Sequence, residues 1–191
     1  MQNTVTLFKD WGTRHSIIRD AALVMVGSLL LAISAKVQVP FWPVPMTMQT
    51  CIVLMIGAHA GFRIAGTTVL AYLAEGAMGF PVFSSGAGLA FMVGPTGGYL
   101  LGFLASALLV SGAFAKGFGR NLPMALVVLL LGDTVIIGLG FAWLATLIGP
   151  EKALAVGVVP FIPAEALKIA LAAASLVASR FWVQTRGNHS A

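Results

Sequence analysis

Few side chains in this sequence are equipped for chemistry, and the most telling two stand close together. Pro163-Ala164-Glu165-Ala166-Leu167-Lys168 opens a long apolar segment with an acid and a base three residues apart. On a helix that spacing puts both side chains on one face. Pro163 suits a first helical position, so Glu165 falls in the first turn, where the helix dipole favours a carboxylate. A charge pair at the mouth of an apolar helix is costly and marks a candidate site; the alternative is a self-neutralising structural pair. Asp133 and Glu75 are two further acids inside apolar segments. Each either lines a cavity or pairs with a lysine.

Catalytic chemistry finds little support. His59 and His189 fall on the side carrying most of the basic residues, and His15 lies in an N-terminal tail, so the Ser84-Ser85-Gly86 run has no histidine partner. No His, Cys, Asp or Glu set has metal-ligand spacing, and no cofactor is indicated. A phosphate-binding loop of the Gly-x-x-x-x-Gly-Lys-Ser/Thr type is missing, so this chain does not itself hydrolyse ATP. The single cysteine, Cys51, excludes an internal disulfide.

The elements that must position these groups are set by composition. Of 191 residues, 59% are apolar and 9% charged, and the mean hydropathy is +0.97. Eleven basic and six acidic side chains are too few to coat a soluble domain, where roughly 25% of residues are charged. A soluble enzyme, a disordered tail and a nucleic-acid binder are excluded. The runs are continuously apolar, so spanning helices fit and a barrel with period-two alternation does not.

The fold expected is an all-α integral membrane protein with six transmembrane helices in one domain, 1–191. Residues 1–16 form a cytoplasmic tail or interfacial helix, about 17–182 the bundle, and 183–191 a second tail. The six segments are 17–37, 46–60, 64–78, 93–115, 123–148 and 163–182. Segments two and three are short, about 23 Å against a hydrocarbon core of about 30 Å. Either they do not cross fully or they begin in a pocket. A cleavable leader over Arg19 to Ser34 is the weaker reading, because a long polar tail precedes it and apolar segments follow.

Basic residues orient the chain. Lys9, Arg14, Arg19, Arg63, Lys116, Arg120, Arg180 and Arg186 fall on one side, while Lys36 and Lys152 fall on the other. Eight against two predicts that both termini are cytoplasmic. The first, third and fifth connections then face outward, and these hold the unusual residues. The first carries Pro40, Pro43 and Pro45, which stiffen a strap bearing Phe41 and Trp42 and leading to Thr47, Gln49 and Thr50. The third, about 79–94, is long, uncharged and rich in small residues, including Phe83, Gly86 and Gly88. Such a segment is expected to fold back into a protein cavity. It ends in Gly94-Pro95-Thr96-Gly97-Gly98-Tyr99. There Thr96 to Tyr99 are expected to serve a site, and Gly102 and Ser106 to pack helices. Val-Pro-Phe-x-Pro occurs in the first and fifth connections and predicts two similar outer straps.

Together these segments, over roughly 34–174, resemble the BioY family of biotin-binding S components of energy-coupling factor (ECF) transporters. The resemblance is carried by Val39-Pro40-Phe41 with Pro45, Thr47, Gln49 and Thr50. It continues in the 94–99 run with Gly102-Phe103, and in Pro160-Phe161-Ile162-Pro163 followed by an acid and Lys168. The family pattern has Asp where this chain has Glu165, one methylene longer. S components also show an Ala-x-x-x-Ala face on the first helix for docking; the nearest equivalent here is Ser28 and Ala32, with Ala35 beyond.

The resemblance implies a six-helix bundle in a bacterial cell (inner) membrane with an outward biotin pocket capped by the first and third connections. It implies partners as well: biotin, an ECF coupling transmembrane subunit, ATPase subunits and the lipid bilayer, with no nucleic acid. Glu165 would accept a ureido N–H, and Lys168 would donate to the ureido oxygen or to the carboxylate tail. Phe41, Trp42 and Phe83 would wall the ring, and backbone N–H groups at Gly86, Gly88, Gly97 and Gly98 would hold the other polar end. Thr47, Gln49, Thr96, Tyr99 and Asp133 complete the candidate ligand-binding set. The rival expectations are a membrane-embedded enzyme acting on a lipid or isoprenoid, and a biotin facilitator that works without an ATPase.

Overall fold

The computed structural model describes residues 17–187, with side chains up to Trp182. Its elements are α1 (Ile17–Lys36), β1 (Gln38–Val39), β2 (Met46–Thr47), α2 (Gln49–His59), α3 (Phe62–Ala77), α4 (Gly88–Met92), α5 (Gly97–Ala115), α6 (Leu122–Ile148), α7 (Pro150–Gly157) and α8 (Ile162–Gly187). The 1–16 and 188–191 tails lie outside the described residues.

Among the described residues, four helices are long and apolar enough to cross a bilayer: α1, α5, α6 and Ile162–Trp182 of α8. Their outward faces carry bare apolar side chains such as Leu29, Leu130 and Leu167, as a lipid-facing surface requires. The short α2 has 11 residues, about 17 Å of rise. It touches α1, α3, α5, α6 and α8, so it is the hub of the bundle and not a lipid-facing strut. Its first residues, Gln49 and Thr50, are buried inside the protein. Its shortness is thus explained: it starts in a pocket.

The tightest packing joins α5 to α6. A Cβ on Gly98 would lie 2.3 Å from Trp143 Cβ, one on Gly102 2.8 Å from Ile136 Cα, and one on Gly140 2.3 Å from the Tyr99 ring. Gly98, Gly102 and Ser106 form one small-residue face, and Gly132 and Gly140 answer it across the seam. The Asn121 side chain caps α6 by accepting the Met124 N–H at 3.2 Å, with Pro123 in the first turn. Gly149, at φ 85°, ends α6 and lets Pro150 open α7 at once.

Three features differ from the sequence expectations. The first strap is not purely irregular, because Gln38 pairs with Thr47 and Val39 with Met46 in a short antiparallel ribbon. The third and fifth connections each contain a short helix, α4 and α7, whose lengths are too small for a periodic signal. The Ser28 face of α1 is not free for docking, since Ser28 and Ala35 are buried and Ser28 Oγ donates to Glu75 Oε2 on α3 at 2.5 Å. Small residues there let α1 approach α3, and that hydrogen bond gives Glu75 a partner.

Candidate functional site

At the N-terminal end of α8 the backbone sets the geometry first. The Phe161 N–H donates to the Val158 carbonyl at 3.0 Å, and the Glu165 N–H donates to the Phe161 carbonyl at 2.9 Å. This first turn aims Phe161, Glu165 and Lys168 at the bundle interior, and all three are buried. Lys168 Nζ lies 2.7 Å from Glu165 Oε1. Thr50, on the first turn of α2, donates to Glu165 Oε1 at 3.4 Å and accepts from Lys168 Nζ at 3.5 Å. The acid–base pair is therefore short and direct, whereas the threonine contacts are at the loose limit of hydrogen bonding.

A second polar group is built on α2 and α3. Gln49 Nε2 donates to the Tyr72 hydroxyl at 2.6 Å, and Tyr72 donates to the Val82 carbonyl at 3.2 Å. Thr47 Oγ1 accepts the Gln49 N–H and donates to Gln49 Oε1, both at 3.3 Å. Tyr72 also holds Phe83 edge-on, with ring centroids 5.5 Å apart, and Phe83 stacks on Phe91 at 5.1 Å. Phe83 sits over Gly76, where a Cβ would lie 2.0 Å from its ring. The next two fasteners are Lys36 Nζ, which donates to the Phe83 carbonyl at 2.5 Å, and Gln38 Nε2, which donates to the Ser84 carbonyl at 3.4 Å. Three successive carbonyls of the third connection are thus tied down, at Val82, Phe83 and Ser84.

Between these groups lies a cavity of about 40 Å³. Glu165, Lys168 and Thr50 line it together with Thr47 and Gln49, and Phe83, Phe91, Tyr99, Phe103 and Phe161 give it aromatic walls. Tyr99 is fixed by donating to the Gly157 carbonyl at 2.7 Å and by stacking on Phe161 at 6.0 Å. An adjoining lateral recess of about 420 Å³ shares Ile137, Phe161 and Glu165 with the cavity and is otherwise mostly apolar. Among the described residues no group of three or more His, Cys, Asp or Glu is placed to hold a metal ion.

Of the residues singled out in the sequence, Thr47, Gln49, Phe83, Thr96, Tyr99, Glu165 and Lys168 line this cavity. The others go elsewhere, each for a physical reason. Trp42 is 87% exposed and Phe41 42%, because the strap turns its Val44 and Pro45 side inward. Gly97 and Gly98 are spent on close packing against Met92 and α6, and the Gly97 N–H already donates to the Gly94 carbonyl at 3.0 Å. Gly86 makes room for the Phe91 ring, and Gly88 supplies a positive φ of 81° at the start of α4. Asp133 lines the lateral recess and not the cavity. The sequence reading missed Tyr72, Phe91, Ile136 and the inward role of Phe161 as lining residues. Tyr72 carried a usable signal, being the only tyrosine besides Tyr99 and standing inside an apolar segment, where a buried hydroxyl needs a partner.

Comparison with known proteins gives a consistent picture. The family model described as "BioY family" matches residues 1–185. A probable biotin transporter BioY of Pyrococcus horikoshii is 34% identical over 155 residues, covering 81% of this chain and 91% of that protein. The biotin transporter BioY of Thermotoga maritima is 35% identical over 146 residues, covering 75% and 85%. The crystal structure of an S-component for biotin from an ECF-type ABC transporter superposes with a TM-score of 0.77 at 24% identity, over 88% of this chain and 93% of that one. That likeness establishes the fold.

Proposed function

The chain belongs to the BioY family, and on that premise we propose that it is the membrane subunit that binds biotin for uptake, working with a coupling membrane subunit and ATPase subunits. The observation that carries this reading is the buried Glu165–Lys168 pair at the end of an aromatic-walled cavity. Biotin's ureido head offers two N–H donors and one carbonyl acceptor. Glu165 Oε1 accepts one N–H and Lys168 donates to the carbonyl, displacing the long Thr50 contacts at little cost. The apolar thioether ring lies among Phe83, Phe91, Tyr99 and Phe161. The cavity of about 40 Å³ is below the roughly 300 Å³ at which ligand pockets begin. Entry of biotin is therefore coupled to outward movement of Phe83 and the carbonyls that Lys36, Gln38 and Tyr72 hold.

Six membrane-crossing elements, α1, α2, α3, α5, α6 and α8, with cytoplasmic termini, agree with the eight-to-two split of basic residues. α1 offers a coupling subunit its outward side at Met25, Leu29 and Ile33, since the Ser28 side is buried. Accessibility labelling checks the topology: positions Asn121 and Ala191 are expected to react from the cytoplasmic side and Ser85 from the outside. An outside result at Ala191 contradicts it. The family's named relatives are transporters, which favours transport over lipid enzymology. Uptake of labelled biotin by cells with and without ATPase and coupling subunits tests the partnership: uptake should fall sharply without them, and equal uptake would identify a stand-alone facilitator.

A further inference from the structure

The proposed biotin site leaves one group unused: Asp133, on the inner face of α6. Its side chain is buried, with a relative exposure of 6% against 4% for Glu165. Asp133 and Glu165, the latter on the neighbouring α8, line the lateral recess together. Yet Asp133 Oδ1 and Glu165 Oε2 are both buried and receive no donor. Two ionised carboxylates are acceptors only and cannot bond to each other. One proton placed between them gives both orphaned oxygens a partner.

The charge balance points the same way. Around this point α8 contributes Glu165 and Lys168, α2 contributes Cys51 and Thr50, α5 contributes Tyr99, and α7 turns Glu151 and Lys152 outward. One cation thus faces two carboxyls. If both were ionised, a net negative charge would stay buried in an apolar bundle, which is strongly unfavourable. With one proton retained, Lys168 neutralises the remaining charge. Glu165 Oε1 then faces Lys168, and the residue stands between the cavity and the lateral recess that Asp133 lines.

We infer that Asp133 and Glu165 share a single proton, and that Asp133 is a positioning residue which holds the Glu165 carboxylate in register with Lys168. Asp133 does not touch biotin; it fixes the acceptor that does, so the affinity side of this inference rests on the function proposed above. It also accounts for an acid on α6 in a region where apolar side chains would otherwise pack.

The test begins on the protein without biotin, where it does not depend on that function. Infrared difference spectroscopy of the purified wild type at neutral pH should show the carbonyl stretch of a buried, protonated carboxylic acid, shifted in D2O. Asp133→Asn should remove that band, because the asparagine N–H replaces the shared proton and leaves Glu165 ionised. Biotin affinity in Asp133→Asn should stay within about threefold of wild type, since a donor to Glu165 Oε2 is kept. Asp133→Leu removes the donor and should weaken biotin by about 5- to 150-fold. A band that Asp133→Asn leaves untouched overturns the shared proton. Equal losses in the asparagine and leucine variants overturn the positioning role. If Asp133→Leu does not fold, the infrared band and the affinity of Asp133→Asn still decide, a loss above tenfold in that variant counting against the inference. If wild type shows the band but binds no biotin, the proton stands and the biotin function fails.

Discussion

Val-Pro-Phe-x-Pro occurs at residues 39–43 and again at 159–163, and the two copies end in different environments. In the second, α8 begins immediately, at Ile162, and its first turn pins Phe161 by two backbone hydrogen bonds. Phe161 is 4% exposed and stacks on Tyr99 at the cavity wall. In the first, the helix that follows starts only at Gln49. The intervening chain makes a ribbon, so Phe41 and Trp42 stay outside while Val44 is buried. Identical local stiffness thus yields a wall in one place and a rim in the other. The deciding factor is how soon a buried helix takes over the backbone.

The sharpest way to break this comparison is to truncate the two aromatic positions. Phe161→Ala removes a buried ring and should cost about 3–5 kcal/mol of stability, read as a large drop in thermal midpoint in detergent, together with weakened biotin binding. A neutral outcome would mean that Phe161 is not a wall. The third connection offers an intermediate case, because it is tied to the body of the protein by side chains that donate to its carbonyls. Lys36→Met removes the charged donor to the Phe83 carbonyl. Loss of a hydrogen bond to a charged group should speed biotin release by about 10- to 150-fold, measured by chase of labelled biotin. Unchanged release would show that the segment does not gate the site. At the other extreme, Trp42→Ala should change stability by no more than about 0.5 kcal/mol and leave biotin release as in wild type. A large effect there would place the first strap over the ligand after all.

The sequence made the bundle legible where periodicity and charge are strong. Long apolar runs located α1, α5, α6 and α8, while the shortness of segment two left incomplete crossing and a start in a pocket both open, and the burial of Gln49 and Thr50 favours the second. Glu165 and Lys168 were legible because two charges cannot stand at an apolar helix mouth without a partner. Gly102 and Ser106 were legible as a packing face, but not the extent of it: Gly97 and Gly98, expected at the site, belong to packing as well, since a glycine spared for a ligand and one spared for a neighbouring helix look alike in sequence. Trp42 misled for a related reason. A stiff strap fixes that its side chains are splayed apart, but which side turns inward depends on the ribbon register with Gln38 and Val39. Tyr72 and Phe91 come to the cavity from α3 and α4 through tertiary packing, which no local spacing encodes.

Equilibrium binding of biotin to the purified wild-type chain and to Lys168→Met, with thermal stability followed in parallel, tests the central claim most directly. Saturable binding is expected in wild type. Lys168→Met should weaken it by about 10- to 150-fold in protein that remains folded, because the ureido carbonyl loses its donor and Glu165 loses its cation. Wild-type affinity in a stable Lys168→Met protein, or no biotin binding by the wild-type chain, would contradict the account.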